Sequence, residues 1–167
     1  MTLKKYLEQF SKEQLIAQII ELNKKYKDVK GYYEFSINPD SNAKKEQVKE
    51  FISECFYPKR GDRFRFTDAK QAIKEFKKLE PAPDALADVM IHFVEMGVSF
   101  TNDYGDIDDP FYESIEKHYN DACLLIHENK LITTFKERCL KIVSDTSGIG
   151  WGFHDVLNDV FYNYFSL

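Results

Sequence analysis

Residues 84–100 read DALADVMIHFVEMGVSF. Leu86, Val89, Phe93, Met96 and Phe100 recur at helical spacing, and Met90, Ile91, Val94 and Val98 carry the apolar surface further round the cylinder. Asp88, His92, Glu95 and Ser99 interrupt it at steps of four, three and four, which gathers them into one narrow polar stripe. A helix apolar over most of its surface belongs at the centre of a core. The stripe is then expected to be the one strip of this helix that meets water.

The flanking segments supply partners for such a hub. Towards the N-terminus, Pro81-Ala82-Pro83 separates it from a helix that buries Ala69, Ala72, Ile73, Phe76 and Leu79, with Thr67 or Asp68 as cap and Asp84 capping the hub itself. Before that, Val48, Phe51, Ile52, Cys55 and Phe56 mark a helix that ends ahead of Pro58. It follows a turn at Asn38-Pro39-Asp40-Ser41-Asn42. Further back, Ser11 and Gln14 have the spacing of a capping box. The helix they start carries Leu15, Ile19, Leu22, Tyr26, Val29 and Tyr33 at steps of four and three, a periodicity that predicts continuation to about Phe35 despite Gly31. A short helix over Leu3–Phe10 precedes it.

Towards the C-terminus, Asp108 or Asp109 can cap a helix with Pro110 in its first turn and Phe111, Ile115, Tyr119, Ala122, Cys123 and Ile126 inward. After Asn129-Lys130 comes a helix presenting Leu131, Phe135, Cys139, Ile142 and Val143. The glycine-rich SDTSGIGWG leads into a last one with Phe153, Val156, Leu157, Val160, Phe161 and Tyr164 on one face. The expected fold is all-α: one domain over residues 1–167, about eight helices, stacked as antiparallel hairpins or an irregular bundle.

Composition agrees. Hydrophobic residues make up 43% and charged residues 31%, which is globular rather than disordered. No run is apolar enough to span a bilayer, and the N-terminus shows no signal-peptide core, so a cytoplasmic protein without a membrane partner is expected. Cys55, Cys123 and Cys139 are odd in number and widely spaced, consistent with reduced core thiols. The net charge of −5 is unevenly laid out. Residues 1–80 hold 18 basic and 13 acidic side chains, residues 81–167 hold 5 and 15. Such a division speaks to association rather than to fold.

Four places could carry chemistry. Asp88, His92 and Glu95 present carboxylates and an imidazole on one helical face, the donor set of a helical-bundle metal site. The order is reversed from the usual Glu-x-x-His, and the next helix offers Glu113 and Glu116 with no correctly spaced histidine. The loop TNDYGDIDDPFYE is dense in oxygen ligands but fails the calcium-loop register at Tyr104 and Ile107. The stretch 59–78 carries eight basic residues against three acids. Arg60, Arg63, Phe64, Arg65 and Lys70 interleave cations with aromatics as a phosphate-and-base-binding surface would. A sequence pI near 5.4 and the prospect that Phe64 and Phe66 merely dock the loop weigh against that use. Last, Trp151, His154 and Asp155 follow the glycine turn and suggest a pocket, or a tight reversal that tucks the only tryptophan against the core.

The stretches LKKYL, FSKEQL, NKKYKDVKGYYEF, FYPKR, AKQAIKEFKKL, ALADVMIHFVEMGVSF and YGDIDDPFYES make the chain resemble an uncharacterised bacterial family of all-helical domains of unknown function. The resemblance implies a single helical domain and transfers no activity, cofactor or site residue. With no catalytic constellation in the sequence, the expected function is a non-enzymatic protein-interaction module, its partner a protein or a second copy of the chain, with no cofactor. The alternatives are a nucleic-acid-associated protein using the basic stretch and a metal-dependent enzyme using the hub stripe.

Overall fold

A computed structural model describes residues 1–37, 41–59 and 63–166. Asn38–Asp40 of the expected turn and the candidate Arg60 lie outside the described residues, and Ser41 and Asn42 of that turn are already helical. The elements in chain order are α1 (Leu3–Leu7), α2 (Lys12–Lys25), α3 (Lys27–Ile37), α4 (Ser41–Phe56), α5 (Phe66–Lys78), α6 (Pro83–Tyr104), α7 (Asp109–Glu128), α8 (Ile132–Asp145) and α9 (Phe153–Phe165). The fold is all-α, with nine helices and no strand among the described residues. Contacts divide the chain into two compact units, Met1–Asp40 and Ser41–Leu167.

In the first unit the Ser11 capping box forms as its spacing requires. The Ser11 amide donates to Gln14 Oε1 at 2.8 Å, and the Gln14 amide donates to Ser11 Oγ at 3.3 Å. The expected long helix does not continue to Phe35. It breaks at Tyr26, whose backbone is extended (φ −121°, ψ 120°). Charge placement favours two helices over one. Lys24 and Lys25 close the last turn of α2 and Asp28 opens α3, each complementing a helix dipole. In one continuous helix Lys24 and Lys27 would instead stand as like charges three residues apart. None of α1–α3 buries a residue, and Ile16, Ile19, Ile20, Leu22 and Tyr26 stay exposed.

The second unit is built around α6. This helix packs on α4, α5, α7 and α8 and buries eleven of its residues, so the apolar run is the hub its composition predicts. It extends past Phe100 to Tyr104 and stops at Gly105, which takes a positive φ of 87° that costs glycine no steric penalty. Gly97 lets α7 close on it, because a Cβ there would run into the Ile115 side chain. Two expected caps are absent. The α5 N-cap is Arg65, fixed by its amide donating to the Cys55 carbonyl at 2.9 Å, with Thr67 and Asp68 already inside the helix. The α6 N-cap is Ala82, which has no side-chain acceptor; Pro83 takes the first helical position and Asp84 acts from the first turn through the dipole. Asp108 does cap α7, Oδ1 accepting from the Phe111 amide at 2.9 Å. All three cysteines are free and buried.

Candidate functional site

The hub stripe does not face water as expected. It faces cations brought by two other helices. Lys45 and Lys49 on α4 reach Asp88 at 3.0 and 3.2 Å, and Arg138 on α8 reaches it at 2.7 Å. The same guanidinium grips Glu95 through two parallel hydrogen bonds, Nε to Oε1 at 2.9 Å and Nη2 to Oε2 at 2.8 Å. The Asp88 side chain is only 13% exposed. Burial alone would push its carboxyl up, but the hydrogen bonds from Arg138 and Lys45 and the charge of Lys49 outweigh it and hold the group down to about 2. Arg138 is raised in turn, chiefly by its bonds to Glu95. The stripe is thus an ion-pair lock joining α4, α6 and α8, and its Glu95–Ser99 end opens onto a recess of about 250 Å³.

His92 sits inside this lock. Its Nε2 lies 2.8 Å from Ser53 Oγ and its Nδ1 3.8 Å from Glu95 Oε2, a hydroxyl–imidazole–carboxylate chain. Two facts give it a structural rather than a nucleophilic role. Nε2 is also 3.2 Å from the Lys49 carbonyl, where the ring nitrogen must donate, so it cannot take the Ser53 proton. Ser53 itself donates to that carbonyl at 3.0 Å, and Glu95 is held by Arg138. Burial, then the Lys49 charge, lowers the pKa of the imidazole and keeps it neutral. No three His, Cys, Asp or Glu side chains converge on a metal-sized space among the described residues.

The other candidate residues are dispersed. Phe64 stacks on Phe100 with centroids 4.3 Å apart and planes 11° from parallel, so its face is occupied by the core. Arg65 is half-buried with its guanidinium 5.5 Å over the Phe51 ring, and its Nε is buried without a hydrogen-bond partner. Arg63 is exposed. Lys70 rests 4.6 Å over Phe66. Trp151 is not tucked against the core. It is 74% exposed, in a left-handed conformation (φ 62°), with its indole N–H reaching Asp106 at 3.4 Å. His154 turns inward to Thr146 and the Val143 carbonyl at 2.9 and 3.1 Å, while Asp155 points out from the first turn of α9. These three residues do not form one site.

A larger recess lies elsewhere, in a groove of about 740 Å³ between α5 and α7. Short links join α5 to α6 and α6 to α7, the arrangement of antiparallel hairpins, which would set α5 and α7 parallel to each other. Phe66 and Phe111 bring them together near their N-termini, with centroids 4.9 Å apart, and residues of both helices line the recess. The floor is Ile73, Leu86 and Met90, which keep 5, 7 and 8% exposure, whereas Val89, Ile91 and Phe93 on the other faces of α6 keep none. Lys70, Lys74 and Lys77 line the α5 wall. Glu113, Lys117, Asp121 and Glu128 line the α7 wall, with Leu124 at the rim. None of these seven charges has an ion-pair partner among the described residues, in contrast to Lys45, Lys49, Lys59, Lys78 and Arg138. His118 stands in the α7 wall, packed on Phe93 at 4.7 Å. Its Nδ1 donates to the Ser114 carbonyl, and burial lowers its pKa.

A family model matches residues 1–165, across both units. The chain belongs to a family of unknown function, DUF6155. No curated protein and no solved structure matches it. Among the described residues no helix is long and apolar enough to cross a membrane.

The sequence reading found the stripe but not its partners. A signal was available. Arg138 falls among Phe135, Cys139 and Ile142, on the inward face of its own helix, and a cation there needs a buried anion. Lys45, Lys49 and Ser53 share one edge of α4 at steps of four. The groove had no such signal, because it is a gap between helices rather than a residue pattern.

Proposed function

We propose that the protein is a non-enzymatic protein-interaction module and that the α5–α7 groove is its binding surface. The observation that supports this is the pairing of an apolar floor with flanking charges that have no ion-pair partner among the described residues. The lock pairs its charges across three helices, whereas the seven groove charges that flank the apolar floor have no ion-pair partner among the described residues. Apolar surface flanked by unpaired charge suits association with another macromolecule. The reading as a nucleic-acid protein is weaker on the same ground. The α5 lysines could hold phosphates, but Glu113, Asp121 and Glu128 on the facing wall would repel a backbone, and Phe64 has no free face for stacking.

The test is site-directed photo-crosslinking of the whole chain in its native cell extract. A photoreactive residue at Lys74, in the groove, is compared with one at Leu140, exposed on α8. A discrete protein adduct from Lys74, absent from Leu140 and lost when Leu124→Glu is added, is the expected result. Leu124 keeps 38% exposure, so that change leaves the fold intact. Equal adducts at both positions, or none from Lys74, would overturn the assignment.

A further inference from the structure

We infer that the occupant of the α5–α7 groove is an amphipathic α-helix of a protein partner, with acids in a row along one flank and bases in a row along the other; this rests on the groove being the binding surface. The shape argues first. The groove lies between α5 and α7, and an α-helix is about 10 Å across with its side chains. Along α7 the lining runs from Pro110 to Glu128, roughly 27 Å at about 1.5 Å per residue, and along α5 from Lys70 to Lys77, roughly 10 Å, so about two turns of a docked helix lie between both walls.

The charges argue second. Lys70, Lys74 and Lys77 recur at steps of four and three, so they form a single row along the α5 wall. Glu113, Asp121 and Glu128 form a row along α7, interrupted by Lys117. The two rows have opposite dominant sign and lie on opposite sides of an apolar floor. A free anion, an anionic lipid or a nucleic acid would satisfy the lysines and leave the α7 carboxylates opposed to it. An extended peptide places successive side chains on alternate sides and would match only one wall at a time. A helix laying an i, i+3, i+4, i+7 apolar face on Ile73, Leu86 and Met90 offers both flanks at the four-residue repeat of both walls.

The arrangement has a directional consequence. Reversing a helix in the groove exchanges its left and right flanks. The wall charges therefore fix which way the partner helix runs, as much as how tightly it binds.

The experiment uses the full chain and three synthetic peptides of one composition: acids and bases on separate flanks, the same with the flanks exchanged, and the two signs mixed on both flanks. Each carries a nitroxide at its N-terminus, and binding is followed by nuclear magnetic resonance of the isotope-labelled protein. Both separated peptides are expected to bind about tenfold more tightly than the mixed one at low salt, the advantage shrinking as salt rises. One should broaden signals near Lys70 and Ser114 and the other near Lys77 and Leu125. The double exchange Lys74→Glu with Asp121→Lys should weaken the orientation preference. A mixed peptide that binds equally well, or separated peptides that share one orientation, would overturn the helix assignment while leaving the groove as a binding surface. Binding without perturbation of Met90 and His118, or self-association of the chain through the groove, would overturn it as well. A native partner crosslinked at Lys74 through a non-helical segment would do the same.

Discussion

Replacing Asp88 by asparagine tests the lock that joins α4, α6 and α8. The change keeps the shape and removes the charge that Lys45, Lys49 and Arg138 converge on. Asp88 is held down to about 2 from an ordinary 3.8, and each unit is worth about 1.4 kcal/mol, so the ionised carboxylate stabilises the fold by roughly 2 kcal/mol. Leaving three cations around Glu95 alone adds to the cost of Asp88→Asn, which is expected at about 2–3 kcal/mol at pH 7. The sign with pH follows from the depressed folded value. The contribution is complete above the unfolded carboxyl range near pH 4 and is lost as pH falls towards 2, with roughly half gone by pH 3. Urea unfolding of both proteins, followed by circular dichroism at pH 7, 5, 4 and 3, gives the difference directly. A gap that narrows below pH 4 is the expected outcome. A gap that is the same at pH 7 and pH 3, or smaller than about 0.5 kcal/mol throughout, refutes the reasoning, because an uncharged contact would then account for it.

Three further outcomes follow from the same contacts. Folded His92 and His118 are kept neutral by burial, so stability should fall as pH drops below about 6.5, where the unfolded imidazoles take up protons; His92→Gln should flatten that slope between pH 7 and 5, as read by urea midpoints. Gly97→Leu should cost on the order of 3 kcal/mol or prevent folding, measured by thermal unfolding, because it drives α6 away from Ile115; a loss below 1 kcal/mol would mean the helices are not in close contact there. Trp151, the only tryptophan, should emit as a solvated indole, be quenched by acrylamide nearly as well as the free amino acid, and be replaceable by alanine within about 0.5 kcal/mol; blue-shifted, protected emission would contradict its exposed placement.

Most helices were legible because helical periodicity is local. Phe111, Ile115, Tyr119, Cys123 and Ile126 align on one face of α7 whatever lies opposite, and all five are buried. Boundaries were less legible where two local signals compete. The apolar rhythm through Tyr26 argues for continuation, while Lys24, Lys25 and Asp28 argue for an end and a new start, and the break falls where the charges place it. Phe64 shows why the candidate basic surface was hard to read. An aromatic between two arginines has the same sequence whether its ring stacks on a base or, as here, on Phe100.

By itself the sequence determined an all-helical chain and its hub, because the wide apolar surface of residues 84–100 can be satisfied only by burial on several sides. It also determined the polar stripe on that hub, since spacing alone puts Asp88, His92 and Glu95 on one face. Only the tertiary structure decided what the stripe meets. Lys45, Lys49 and Arg138 are remote from it along the chain, and their charges act on Asp88 only once α4 and α8 pack beside α6. The groove likewise exists only in three dimensions. It is the space left over Leu86 and Met90 between α5 and α7, brought together at Phe66 and Phe111, and no residue pattern encodes a space between helices.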